Sequence, residues 1–323
     1  MVSIRSHIAL LASVVLLTSC ANEEAQEAVR MMAFTLATDS TGVHTDSIEA
    51  TRAVDGLNNN STFLFPADFT VAVDGVNYTY TAISANTNMT SSSPANYPLD
   101  NSHVRIQAFY PSYMMQYAAS PQTFTVSQDQ CQTSLGGANY RASDLMYGLP
   151  KGDFTHLDGS GLVIPTEDAV PLVFEHKMVK IRIDITTNGA TVKCVTMKNV
   201  RRSIDFNTAD ATFSNLATAA DGFGDNVIMY NHATGTNTNF TCTALIPKQN
   251  LAVNTPFIDI VVDAQPSDLT MTYSLNDVAI FNPGMQYIFN LSVSMDEVDG
   301  LSCEIADWND APDDPEFTQI KTL

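Results

Sequence analysis

The sequence predicts an all-β protein built as antiparallel β-sandwiches in tandem. Three observations carry that expectation. Short runs of alternating apolar and polar residues recur from Thr62 onward, separated by Asn, Gly, Asp, Pro and Ser. No stretch sustains the i, i+3, i+4, i+7 spacing of an amphipathic helix. The chain has 323 residues, enough for about two domains of roughly 150 residues each.

The N-terminus reads as a targeting segment. Arg5 and His7 form a short polar lead, and Ile8 to Leu17 form an apolar core of 10 residues. That core is too short to span a bilayer and suits a secretory signal. Leu17-Thr18-Ser19-Cys20 follows and resembles a bacterial lipobox, in which Cys20 receives the lipid and becomes the new first residue. Ordinary signal cleavage beside an unmodified Cys is the alternative. Acyl chains such as palmitate add about 0.8 kcal/mol per buried CH₂, so a multiply acylated Cys20 would anchor firmly to the outer membrane. The acidic stretch Asn22, Glu23, Glu24, Glu27 looks like a surface-export signal and equally suits a solvated tether.

The strands follow in order. Phe69 to Val73, the hairpin dipeptide Asp74-Gly75 and Val76 to Tyr80 form the first pair. The polar, Pro-containing stretch Asn86 to Asn101 reads as a long surface loop. Val104 to Tyr110 alternates and stops at Pro111. Lys180 to Thr186 is the cleanest alternation, with Ile on one face and Lys, Arg, Asp and Thr on the other, as a half-buried antiparallel strand requires. Phe240 to Ile246, Phe257 to Val262, Leu269 to Tyr273 and Tyr287 to Val293 complete the series. Asn188-Gly189 is the expected boundary between two sandwiches of similar size.

Charge and composition exclude several functions. Lys and Arg number 15 against 35 Asp and Glu, a net charge of −20, which argues against a nucleic-acid partner. An apolar fraction of 45% is too high for a disordered chain. Beyond Cys20, the cysteines are Cys131, Cys194, Cys242 and Cys303, which could pair in three ways. Their long gaps give no zinc spacing, and buried, small apolar side chains are the simplest reading.

The six His are scattered, and no GxSxG, P-loop or GxGxxG occurs. His176 is expected to cap or flank a strand. Asp307, Asp310, Asp313, Asp314 and Glu316 are dense, but they lack the order and Gly turn of a Ca²⁺ loop. No catalytic, metal or cofactor site is therefore expected, and the chain is read as not an enzyme.

Several fragments together resemble the bacterial fimbrillin family, the type V pilins and their accessory subunits. They are the lipobox at Cys20, Thr51-Arg52-Ala53 after an N-terminal extension, and Phe109-Tyr110-Pro111. Ser143 to Gly148, Val170 to Ile181, Pro283 to Tyr287 and Ile305-Ala306-Asp307-Trp308 complete the set. The resemblance implies two transthyretin-like β-sandwich domains, with Trp308 in a terminal-strand core. It also implies export as a lipoprotein, removal of the extension after Arg52 by an Arg-specific surface protease, and polymerisation by strand exchange. The chain then divides into a lipoprotein signal (1–19), an extension with a removable strand (20–52), a first sandwich (53–188) and a second (189–323).

Met32 to Thr38 reads as the removable strand, since its centre alternates and it lies upstream of Arg52. Cutting there would leave an open groove that recruits another strand. The natural donor is the tail Asn309 to Leu323, although Phe317, Ile320 and Leu323 are spaced by three, not two, and follow Asp310, Asp313, Asp314 and Pro315, so the tail equally suits a frayed terminus.

The expected function is a structural or accessory subunit of a surface fimbria at the outer membrane, contributing to adhesion. Its expected partners are other fimbrial subunits and a host or bacterial surface ligand. The alternative is a tip adhesin or glycan-binding lipoprotein that does not polymerise.

Overall fold

The computed structural model describes residues 30–37, 66–83, 87–131, 138–214, 224–232, 239–264, 266–295 and 297–307. Cys20, Arg52, Trp308 and the tail 309–323 lie outside the described residues. The expected all-β class holds, and the single described helix has five residues.

The first unit holds β1 (Phe34–Leu36), β2 (Ala67–Val73), β3 (Val76–Ala82), β4 (Ile106–Tyr110), β5 (Gln122–Thr125), α1 (Ala138–Ala142), β6 (Met146–Pro150) and β7 (Val170–His176). Six of these strands form one sheet in the order β1-β7-β6-β4-β2-β3. The β2–β3 hairpin turns at Asp74 and Gly75, with φ of 47° and 82°. Both residues thus adopt the left-handed backbone that a tight primed turn demands.

One sheet face covers a core that includes Phe69, Val71, Ile106, Leu172 and Phe174. Gly148 lets β6 lie flat on that core, because a Cβ there would stand 2.7 Å from the Phe174 ring. Residues 87–97, expected as a surface loop, instead form part of the opposite layer. Met89, Ala95 and Tyr97 are buried. Pro94, Pro98 and the Asn-rich sequence prevent a continuous ladder, so the segment pairs only through isolated bridges.

The second unit is a sandwich of two facing sheets. The strands β8 (Val179–Thr187), β13 (Tyr230–His232), β14 (Asn239–Ile246), β19 (Met285–Val293) and β20 (Val298–Asp307) form one, in the order β13-β14-β8-β19-β20. The strands β9 (Val192–Val200), β12 (Asp225–Ile228), β16 (Pro256–Val262) and β17 (Leu269–Ser274) form the other, in the order β12-β9-β16-β17. Ile181, Ile183 and Ile185 of β8 enter the core between them, as the alternation predicted. The short strands β15 (Gln249–Leu251) and β18 (Ala279–Phe281) pair beside it.

The expected boundary at Asn188-Gly189 falls just after β8. β8, assigned by sequence to the first unit, pairs with β14 and β19 inside the second. The chain crosses between units at Lys177, and β8 runs parallel to β19, not antiparallel to both neighbours. An alternating strand reports which face is buried but not which strand lies beside it.

The units share a third apolar core. Phe109 and Tyr147 meet Ile204, Phe206, Tyr230 and Leu245 there. The strands β10 (Ser203–Asn207) and β11 (Thr212–Ser214) leave the second unit and pair with β5 of the first as β11-β10-β5. Gln107 is buried at this joint. Its Nε2 donates to the Tyr147 hydroxyl at 2.9 Å and to the carbonyls of Thr208 and Ala209, each at 3.1 Å.

Candidate functional site

The site is the slot that holds β1. This strand pairs with β7 in parallel register, Phe34 opposite Val170 and Leu36 opposite Leu172. Alternation sends the even residues inward, and Met32, Phe34 and Leu36 are each at most 2% exposed. The backbone of the odd residues serves β7. The Val170 N–H donates to the Ala33 carbonyl and the Ala37 N–H to the Leu172 carbonyl, both at 2.8 Å.

The backbone of the even residues serves the opposite flank, residues 88–97. The Met32 N–H donates to the Ala95 carbonyl at 2.8 Å, the Met89 N–H to the Phe34 carbonyl at 2.8 Å and the Tyr97 N–H to the Arg30 carbonyl at 2.9 Å. The Arg30 guanidinium also donates to the Asn101 side chain. The same flank reaches β3, where Thr81 and Thr90 exchange backbone hydrogen bonds. Residues 88–97 therefore bond both edges of the six-stranded sheet and close it onto itself through β1. Without β1, backbone groups on β7 and on the flank would face an apolar slot, which is costly unless another strand fills it.

Tyr80 of β3 forms the floor of the slot. Its ring meets Phe34 edge-on, with centroids 4.8 Å apart and planes at 80°. Burial raises its hydroxyl above the ordinary tyrosine range, while the hydrogen bond from the Ala95 N–H opposes the shift. Sequence reasoning missed Tyr80 and the flank. Tyr80 shares a face with Val76 and Tyr78, and nothing local marks which of the three reaches across the core. An open depression of about 460 Å³ lies on the other side of β1, lined by Thr35, Ala37, Lys151 and Pro171.

The remaining candidates separate. His176 ends β7, as expected, and its Nδ1 lies 2.8 Å from the Asp144 carboxylate, with both side chains almost fully buried. This pair ties the end of β7 to the turn after α1, joining two fragments that carried the sequence resemblance. His103 and His156 pair with Asp158 and Asp168 at the surface.

Cys242 is fully buried, with its Sγ 3.8 Å from the Met229 Sδ. Cys131, Cys194 and Cys303 are only half-buried, so the expectation of buried cysteines holds fully for Cys242 alone. Among the described residues, no group of three or more His, Cys, Asp or Glu is placed to hold a metal ion. Asp310, Asp313, Asp314 and Glu316 lie outside those residues. No described helix is long and apolar enough to cross a membrane.

The fold has solved counterparts. A protein from Bacteroides uniformis, assigned provisionally to cell adhesion, superposes with a TM-score of 0.55 at 18% identity, covering 88% of this chain and 99% of the other. One from Bacteroides ovatus with the same provisional assignment gives 0.56 at 15% identity, covering 87% and 96%. At such identities the likeness is one of fold. No curated protein sequence matches. The model of the family described as fimbrillin-like matches residues 33–308, a span that runs from β1 to the end of β20, and the chain belongs to that family.

Proposed function

We propose that this chain is a subunit of a surface fimbria, exported as a lipoprotein through Cys20 and assembled by exchange of β1. Family membership makes it a structural protein and not an enzyme. The observation that carries the assembly step is the two-sided seating of β1. The strand is short, plugged by three inward side chains and bonded along both edges. It precedes Arg52 in sequence, whereas every other strand of the first sheet follows it. Cleavage after Arg52 would detach β1 from the chain and leave a slot shaped for a strand. A neighbouring subunit's strand can fill that slot, and head-to-tail filling continues without closing on itself.

The test is cleavage at Arg52. Limited trypsin treatment of the purified chain is expected to cut there and yield oligomers, while Arg52→Ala stays monomeric. A chain cut at Arg52 that has lost β1 yet remains a stable monomer would refute strand exchange and favour the non-polymerising adhesin. The anchor is tested separately, because Cys20→Ala should leave the outer-membrane fraction. Full retention there would remove the lipoprotein reading.

A further inference from the structure

The β1 ladder has an irregularity at its first inward residue. Met32 and Ala95 face each other as an antiparallel pair, and the Met32 N–H donates to the Ala95 carbonyl at 2.8 Å. The reciprocal bond would run from the Ala95 N–H to the Met32 carbonyl. A side chain takes its place. The Ala95 N–H donates to the Tyr80 hydroxyl at 2.8 Å, and that hydroxyl donates onward to the Met32 carbonyl at 3.3 Å. The phenol is thus spliced into the backbone ladder. The same side chain, 1% exposed, presents its ring edge-on to Phe34, the middle anchor of the strand.

Two contacts with the strand therefore converge on one residue. The hydroxyl meets backbone at the first anchor, and the ring meets the side chain at the second. A hydroxyl completes the ladder over any residue, so it supplies position and not sequence. The ring discriminates, because an edge-to-face aromatic pair gains more than an aliphatic side chain of similar area.

We propose that Tyr80 is the specificity-determining residue of the slot: it fixes the seated strand at its first anchor and selects an aromatic side chain at the second. The partner this implies is an extended segment with apolar residues at i, i+2 and i+4 whose middle member is aromatic, running parallel to β7. Its use in assembly rests on the strand-exchange reading above. The selection itself can be measured on the resident strand, in the uncleaved chain.

The experiment is amide exchange followed by NMR with selective ¹⁵N-alanine labelling. The Ala37 amide reports seating of β1 on Leu172, and the Ala95 amide reports the hydroxyl contact. Ala244, paired with Ile181 in the second unit, serves as a remote reference. Phe34→Leu is measured with Tyr80 present and with Tyr80→Leu. Phe34→Leu should accelerate Ala37 exchange about threefold to tenfold more when Tyr80 is present, the range expected of an aromatic pair. Tyr80→Phe removes both hydrogen bonds of the hydroxyl and should accelerate Ala95 exchange at least about fivefold, the effect of the Ala95 bond by itself, with Ala244 unchanged.

Equal acceleration of Ala37 in both backgrounds would overturn the selection, since a purely structural Tyr80 affects Phe and Leu alike. Unchanged Ala95 exchange in Tyr80→Phe would overturn the ladder role. Where Tyr80→Leu also strips protection from Ala108 in β4, the cycle is run with Tyr80→Met, which fills irregular space. Each result holds whether or not cleavage at Arg52 leads to polymer, so slot selection and strand exchange fail separately.

Discussion

Replacing Gln107 by Leu should loosen the joint between the two units without opening a large cavity. The two side chains are similar in volume, so the change isolates hydrogen bonding from packing. Gln107 is 3% exposed, and its Nε2 serves three acceptors: the Tyr147 hydroxyl and the carbonyls of Thr208 and Ala209. A buried acceptor left without its donor costs about 1–3 kcal/mol. The Ala209 contact is only partly buried, so water can replace that donor, and the Tyr147 hydroxyl can rotate. The Thr208 carbonyl bears the full penalty. The expected cost is therefore about 1–3 kcal/mol.

Urea unfolding provides the assay. With a slope of about 2–3 kcal/mol/M, the midpoint should fall by about 1 M. The loss should register in both units, because the strands that Gln107 secures belong to a sheet that joins them. Tyr147→Phe, which removes one partner and keeps the ring packed on Phe109 and Phe206, should cost clearly less. A midpoint in Gln107→Leu within about 0.2 M of the parent would show that the polar network does not hold the joint. The joint would then depend on its apolar contacts and on the β5–β10 ladder.

Other outcomes follow from single sites. Gly148→Ala should cost about 1–3 kcal/mol in thermal unfolding followed by circular dichroism, because its Cβ would press on the Phe174 ring from 2.7 Å; an unchanged melting midpoint would mean that the ring moves aside freely. Native-state alkylation at pH 8 should leave Cys242 unmodified, since it is fully buried and burial raises its thiol; prompt labelling would contradict its packing. The Asp158 carboxyl is held below the usual range by its hydrogen bond from His103, aided by Ser160 and Leu162. A depressed folded value contributes stability that is present above the unfolded value of about 3.9 and lost as pH falls through the folded one. Asp158→Asn should accordingly flatten the acid limb of a melting-point profile between about pH 5 and pH 2, and an unaltered limb would remove Asp158 from that loss.

Much of the fold could be read from local signals. Asp74-Gly75 marked a hairpin because both residues accept positive φ, and the Ile face of β8 marked a buried surface. Each is a property of a few consecutive residues. The misreadings concern neighbours distant in sequence. Alternation is identical whether a strand's partner runs parallel or antiparallel, so β8 could not announce β19, nor β1 announce β7.

Residues 87–101 show the same limit from the other side. Their Pro and Asn residues correctly forbid a ladder, but a forbidden ladder does not imply exposure. Ala95 is fully buried because β1 lies against it and Tyr80 reaches its N–H. The slot is thus made by segments that look unremarkable alone: a three-residue strand, a stretch that reads as loop, and one tyrosine in an ordinary hairpin. What joins them is that β1, among the described residues, bonds both flanks, so a three-residue strand keeps the first unit closed.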